Sequence, residues 1–152
     1  MRYVAAMLMA LTAFAADPAG FAIWRNSELK GKEKALAPKM DAKKVATETF
    51  ANYGNHSIMA AHREGSGEAE LHEKTVDISL IESGEAYIVV GGKIVNGRTT
   101  TPGETRGDSI EGGTRYKLTA GDMFHVPANI PHQMVLDPGQ QVTYVIVKVS
   151  MP

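Results

Sequence analysis

Beyond residue 44 the chain alternates short apolar runs with turn residues, and no long stretch follows the 3.6-residue period of an amphipathic helix. The pattern predicts strands over Val45–Tyr53, Ser57–Arg63, Glu68–His72, Val76–Ile81, Ala86–Val90, Lys93–Val95, Arg115–Leu118, Met123–Val126, Gln133–Leu136 and Gln141–Val149. Gly54-Asn55, Ser83-Gly84, Gly91-Gly92, Gly121-Asp122 and Asp137-Pro138-Gly139 supply turns between them. Many short strands at this spacing predict an all-β sandwich or barrel. Tyr87, Tyr116, Phe124, Met123 and Met134 are expected to fill its interior. The widest polar insertion, Asn96 to Gly113, reads as a long hairpin or rim loop.

The first 44 residues follow other rules. Met1-Arg2 precedes an apolar run from Val4 to Ala16, and Ala13-Phe14-Ala15 has the small-x-small form of a cleavage site. A bilayer span needs about 20 residues, so the run reads as a secretory signal and not as a membrane helix. The expected organisation is a signal peptide over 1–15, an arm with a short helix over 16–44 and a barrel over 45–152. Ser27 to Ala37 reads as the helix, with Ser27 as N-cap and Pro38 as stop. Lysines in the arm are interspersed with acidic residues, as on a solvated face, and Trp24 reads as its packing anchor.

Charge and composition narrow the chemistry. Sixteen Lys+Arg against 17 Asp+Glu in 152 residues give a net charge of −1, which provides no electrostatic footprint for nucleic acid. The absence of Cys excludes disulfides, thiolate metal sites, cysteine nucleophiles and a lipid anchor on Cys. A metal would therefore rest on His and carboxylate ligands. Neither a Ser-His-Asp arrangement nor a phosphate-cradling Gly motif is evident.

Two segments carry informative histidines. Glu70 and His72 are separated by one residue and so share a strand face. Asp77 has the wrong parity to join them on one continuous strand; a turn at Glu73-Lys74-Thr75 resets it, and Asp77 and Ser79 can then face the same interior. In the second segment Gly121-Asp122 opens a strand, Pro127 to Pro131 turns the chain, and His132 starts the returning strand with Met134 and Leu136 on its face. His62 reads as a packed or rim histidine, and the facing of His125 is ambiguous.

These residues resemble the two sequence motifs of the cupin superfamily. Glu70-x-His72, four residues, Asp77, six residues and Gly84 reproduce the spacing of the first motif, with Glu70 standing for its first His and Asp77 for its Glu. Gly121, five residues, Pro127-x-Asn129, two residues and His132 follow the second, with Asn129 in place of a Gly and Leu136 in place of the closing Asn. The resemblance implies a double-stranded β-helix (jelly-roll) barrel and, by default, a homodimer. It also implies a divalent metal, Fe, Mn, Zn or Ni, on His72, Asp77 and His132, with Glu70 as fourth ligand or as catalytic base. The alternatives are interior histidines hydrogen-bonded in a barrel without metal, an Asp77 that caps backbone N–H groups, and a Glu70 on the rim. Two functions follow as expectations. One is an exported metal-dependent enzyme on a small polar molecule, of oxygenase, isomerase or lyase type. The other is an exported barrel that holds a sugar or organic acid without metal or turnover.

Overall fold

The structure, a computed structural model, describes residues 17–152; the expected signal peptide lies outside the described residues. Two one-turn helices, α1 (Asn26–Lys30) and α2 (Lys32–Leu36), and a 3₁₀ turn at Ala37–Lys39 precede twelve strands. These are β1 (Val45–Asn52), β2 (His56–Arg63), β3 (Ala69–His72), β4 (Thr75–Val90), β5 (Lys93–Val95), β6 (Arg98–Thr101), β7 (Glu104–Gly107), β8 (Ser109–Glu111), β9 (Thr114–Thr119), β10 (Met123–Val126), β11 (His132–Val135) and β12 (Val142–Ser150).

One strand belongs to both walls of the barrel. The sequence predicts Val76–Ile81 and Ala86–Val90 as separate strands with a turn at Ser83-Gly84, but β4 runs through as 16 residues. Its first half pairs with β12 and β10, and its second half with β9 and β11. Ser83-Gly84 is a bend beside a register shift in the β4–β12 ladder. Gly84 has φ +76°, and a Cβ there would stand 2.0 Å from the Gln141 carbonyl oxygen, so only glycine fits. The walls are thus β1-β2-β12-β4-β10 and β9-β4-β11-β3-β7-β6, curled over a core that includes Ala61, Ile81, Ile88, Met134, Val142 and Ile146. A separate β5–β8 pair stands at one end.

Period two decides which expected core residues reach the interior. Phe124 packs on the core and Met134 belongs to it. Met123 neighbours Phe124 in sequence and faces outward, 71% exposed. Tyr87 also points outward, where the Arg115 guanidinium stacks on its ring at 3.6 Å. Tyr116 lies on β9, the last strand of its sheet, beside an open groove, and is 56% exposed.

The arm covers the outer face of the first wall. Leu36 is buried against Ala46 and Ala60, a contribution of about 2 kcal/mol from its apolar area. Trp24 stacks on Phe50 at 5.6 Å, as an anchor should. The helix expected over Ser27–Ala37 begins one residue earlier and is interrupted at Gly31. Glu28, not Ser27, satisfies its start, its Oε2 accepting from the Arg25 backbone N–H at 2.6 Å. Glu33 accepts hydrogen bonds from Ser83 Oγ at 2.6 Å and Gln141 Nε2 at 3.0 Å, fastening the arm where β4 bends.

Candidate metal centre

The strand registers alone bring the polar interior together. β3 ends at His72, Glu73-Lys74 turns the chain, and β4 begins at Thr75, so the parity of Asp77 is reset. Across β3 and β11, Glu70 stands opposite His132. Across β3 and β7, Glu70 faces Arg106 and His72 faces Glu104. Across β4 and β12, Asp77 faces Lys148. Directly opposed side chains on one face of a sheet are within reach of each other, so each pair becomes a contact. Asn129 adopts φ +63°, a left-handed conformation that Asn tolerates. Its backbone N–H donates to the His72 carbonyl at 2.8 Å and its amide to the Glu73 carbonyl at 3.1 Å, which holds the β3–β4 turn beside the His132 strand.

Glu70, His72, Asp77 and His132 offer ligand atoms that all lie within 4.8 Å of one another. His72 Nε2 is 3.3 Å from Glu70 and 3.5 Å from Asp77. His132 Nε2 is 4.0 Å from Glu70 and 3.6 Å from Asp77. Ligands bonded at about 2.1 Å to one tetrahedral ion stand about 3.4 Å apart, so this spacing suits a single first-row divalent ion. The far nitrogens are also committed. His132 Nδ1 donates to the Ile130 carbonyl at 3.0 Å, and His72 Nδ1 donates to the Glu104 carboxylate at 2.5 Å. Both arrangements turn Nε2 inward, as the outer partners of metal-bound imidazoles do.

Electrostatics favour charge separation here. Burial works to raise the pKa of Glu70, but hydrogen bonding to His72 and the Arg106 guanidinium override it and hold the carboxyl at about 2. Asp77 is also raised by burial and lowered more strongly by His132, His72 and Lys148, to well below the ordinary carboxylate range. Burial would lower the pKa of His72; Asp77 and Glu70 reverse this and raise it to about 9, against the charge of Lys148.

Lys148, Glu104 and Arg106 escaped the sequence reading. Lys148 Nζ donates to both Asp77 oxygens at 2.7 and 2.8 Å and lies 3.2 Å from His72 Nε2. Its signal was available: a lysine in the apolar run of β12, in step with the inward Tyr144 and Ile146. His62 and His125 stand apart from the cluster. His62 is buried and bonds Thr143 Oγ1 through Nδ1 at 2.8 Å, and His125 is exposed. Leu136, where the second motif has its closing Asn, belongs to the apolar core.

The cluster opens into a cavity of about 220 Å³ whose lining includes Met59, Ser79, Phe124, Tyr144 and Ile146. Two guanidiniums, Arg63 and Arg106, also border it. A polar floor under apolar walls is the general form of a small-molecule site.

No family model matches the chain, and no curated protein sequence does. Solved structures do match. An oxalate oxidase is similar with TM-score 0.52 and 13% identity over 72% of this chain, which spans about half (53%) of the oxidase chain. KdgF from Halomonas sp. is similar with TM-score 0.51 and 15% identity, covering 74% of this chain and 86% of its own. A cupin 2 conserved barrel domain protein from Rhodopseudomonas palustris is similar with TM-score 0.50 and 18% identity, covering 69% and 60%. The chain has the cupin fold. Its Glu70/His72/Asp77/His132 group lies inside the cupin barrel and is suited to a metal ion, and among the described residues no helix is long and apolar enough to cross a membrane.

Proposed function

We propose that this cupin barrel is a metal-dependent enzyme acting on a small polar molecule, of oxygenase, isomerase or lyase type. The observation that carries the reading is the set of four inward donors within 4.8 Å of one another, each imidazole 3.3–4.0 Å from both carboxylates and oriented by a partner on its far nitrogen. His72, His132, Asp77 and Glu70 hold the ion, which when bound supplies a Lewis acid to polarise an oxygen of the guest. Glu70 serves better as a ligand than as a base, because its carboxylate is already paired with the Arg106 guanidinium and lies 3.3 Å from His72 Nε2. Phe124, Ile146 and Met59 exclude water from the guest's other side. The relatives named oxalate oxidase and KdgF lend the fold a precedent for enzymes.

The test is elemental analysis of tag-free protein beside the His72→Ala/His132→Ala double variant. Near-stoichiometric Fe, Mn, Zn or Ni in the parent and its loss in the variant are expected. No metal after reconstitution with each ion overturns the reading.

The ion pair of Lys148 with Asp77 favours a second reading, a barrel that binds a small ligand without metal, with the ammonium neutralising the carboxylate. The same measurement separates the two, and Lys148→Met, which removes the ammonium, raises metal affinity if the first holds. Export rests on the Met1–Ala16 pattern, and intact mass of secreted material tests it. A homodimer is supported by the exposed apolar Met123 and Tyr116 at the open groove; light scattering that returns a monomer mass refutes it.

A further inference from the structure

Arg63 is an arginine with no carboxylate. Arg98 pairs with Glu68, Arg115 with Asp137, and Arg106 with Glu70 and Glu104. Among the described residues Arg63 forms no such pair, although it is the one that points into the barrel from β2, in step with Met59 and Ala61. Its side chain is nonetheless fixed. Nε donates to the buried Tyr144 hydroxyl at 2.9 Å, and the guanidinium lies flat against Gly67. A Cβ at Gly67 would meet Nη1, Cζ and Nη2 at 3.1–3.3 Å. The backbone there is glycine where the guanidinium needs the room.

These restraints engage Nε and one face of the group and leave the two Nη atoms as an end-on fork. Arg63 borders both the inner cavity and an outer cleft of about 650 Å³, and Glu70 and Arg106 border both as well. The fork therefore stands where the cleft leads into the cavity, with the donor cluster beyond it. Glu70 and Asp41 act on the Arg63 charge through space, but no carboxylate among the described residues is hydrogen-bonded to it, and a planar guanidinium fork matches a carboxylate in two parallel hydrogen bonds. Arg63, Arg106 and Lys148 balance the carboxylates Glu70, Asp77 and Glu104, so a divalent ion on the four donors would leave the occupied site positive overall, which calls for an anion.

We propose that Arg63 is the anion-recognising residue of the cavity, and that the small polar guest is an organic acid whose carboxylate docks on the Arg63 fork. This deepens the enzyme reading by naming the guest's chemical class. The clasp itself is made by the chain and does not need the metal. Tyr144 and Gly67 are positioning residues, one aiming the fork and one making room behind it.

The test is calorimetric titration of the full chain, chelated and metal-loaded, with acetate, malonate and succinate, with their amides as neutral counterparts, and with inorganic phosphate. Metal content is read on the same samples. At least one carboxylate binds while its amide does not, and Arg63→Gln weakens that binding about 30-fold or more. Arg63→Lys keeps the charge without the fork and retains only part of the affinity; it also serves if Arg63→Gln fails to fold. Tyr144→Phe weakens binding less than Arg63→Gln does. Carboxylates that bind equally to parent and Arg63→Gln, or none that bind, overturn the proposal, and so does phosphate as the preferred anion. Metal without carboxylate binding sinks this inference alone; Arg63-dependent carboxylate binding without metal sinks the enzyme reading alone.

Discussion

The barrel wall buries two imidazoles in opposite company. His72, 4% exposed, faces inward and meets three carboxylates, from Glu70, Asp77 and Glu104. His62, 0% exposed, lies on β2 and meets a threonine hydroxyl, with Glu64 3.6 Å from its Nε2 and no hydrogen bond on that atom. Burial is therefore a poor guide to chemistry in this fold. What separates the two is convergence: five strands, β3, β4, β7, β11 and β12, aim ionisable side chains at the space around His72, and one hydroxyl from β12 serves His62. A polar group buried with one partner is a packing element, whereas several carboxylates gathered on buried imidazoles are costly to desolvate and suit a cation.

The sharpest way to break the contrast is to delete each side. His72→Ala with His132→Ala is expected to abolish metal uptake, while His62→Ala leaves metal stoichiometry intact and costs about 2 kcal/mol of stability in a denaturant titration. Metal loss in His62→Ala would erase the distinction. Glu104→Gln keeps all four ligands and removes only the carboxylate behind His72; metal affinity should fall about 10–100-fold in competition with a calibrated chelator. Unchanged affinity would make Glu104 an ordinary rim carboxylate. On the other side, Thr143→Val leaves His62 Nδ1 without its partner and should cost about 1–2 kcal/mol with no effect on metal.

The smallest effect is a pH trend. In chelated protein the raised pKa of His72 adds stability that is complete below about 6.5, its ordinary value, and is lost as pH climbs through about 9. The melting temperature of chelated protein should therefore decline across that window. His72→Gln should flatten the decline and His62→Gln should not. Saturating metal should remove it, since a ligating imidazole is already neutral.

Much of this was legible in the chain. The parity argument at Asp77 needs only a turn after His72, and the turn is present at Glu73-Lys74. Asn129, at the position where the second motif has glycine, takes a left-handed conformation. Where the reading failed, the cause is physical. Ser83-Gly84 has turn composition, but both residues stay on the β4–β12 ladder and the Gln141 carbonyl, which accepts from the Glu85 backbone N–H at 3.0 Å, occupies the space a Cβ at Gly84 would need. The insertion after Asn96 shows no apolar alternation because the inward residues of β7 are Glu104 and Arg106, which face a polar site. Met123 and Phe124 are both apolar neighbours, and a strand turns only one of them inward.

Glu104 and Arg106 arrive on a hairpin, β6–β7, whose only ladder partner in the barrel wall among the described residues is β3, with β6 at the border of the sheet. His132 and Asp77 sit on strands that share no ladder with it. New sequence in that hairpin can thus alter the charge and proton affinity around His72 without resetting the strands that carry His132 and Asp77. For a designer, or for a lineage under selection, it is an exchangeable module: a place where one scaffold can acquire a different reactivity by graft, at small risk to the barrel that carries it.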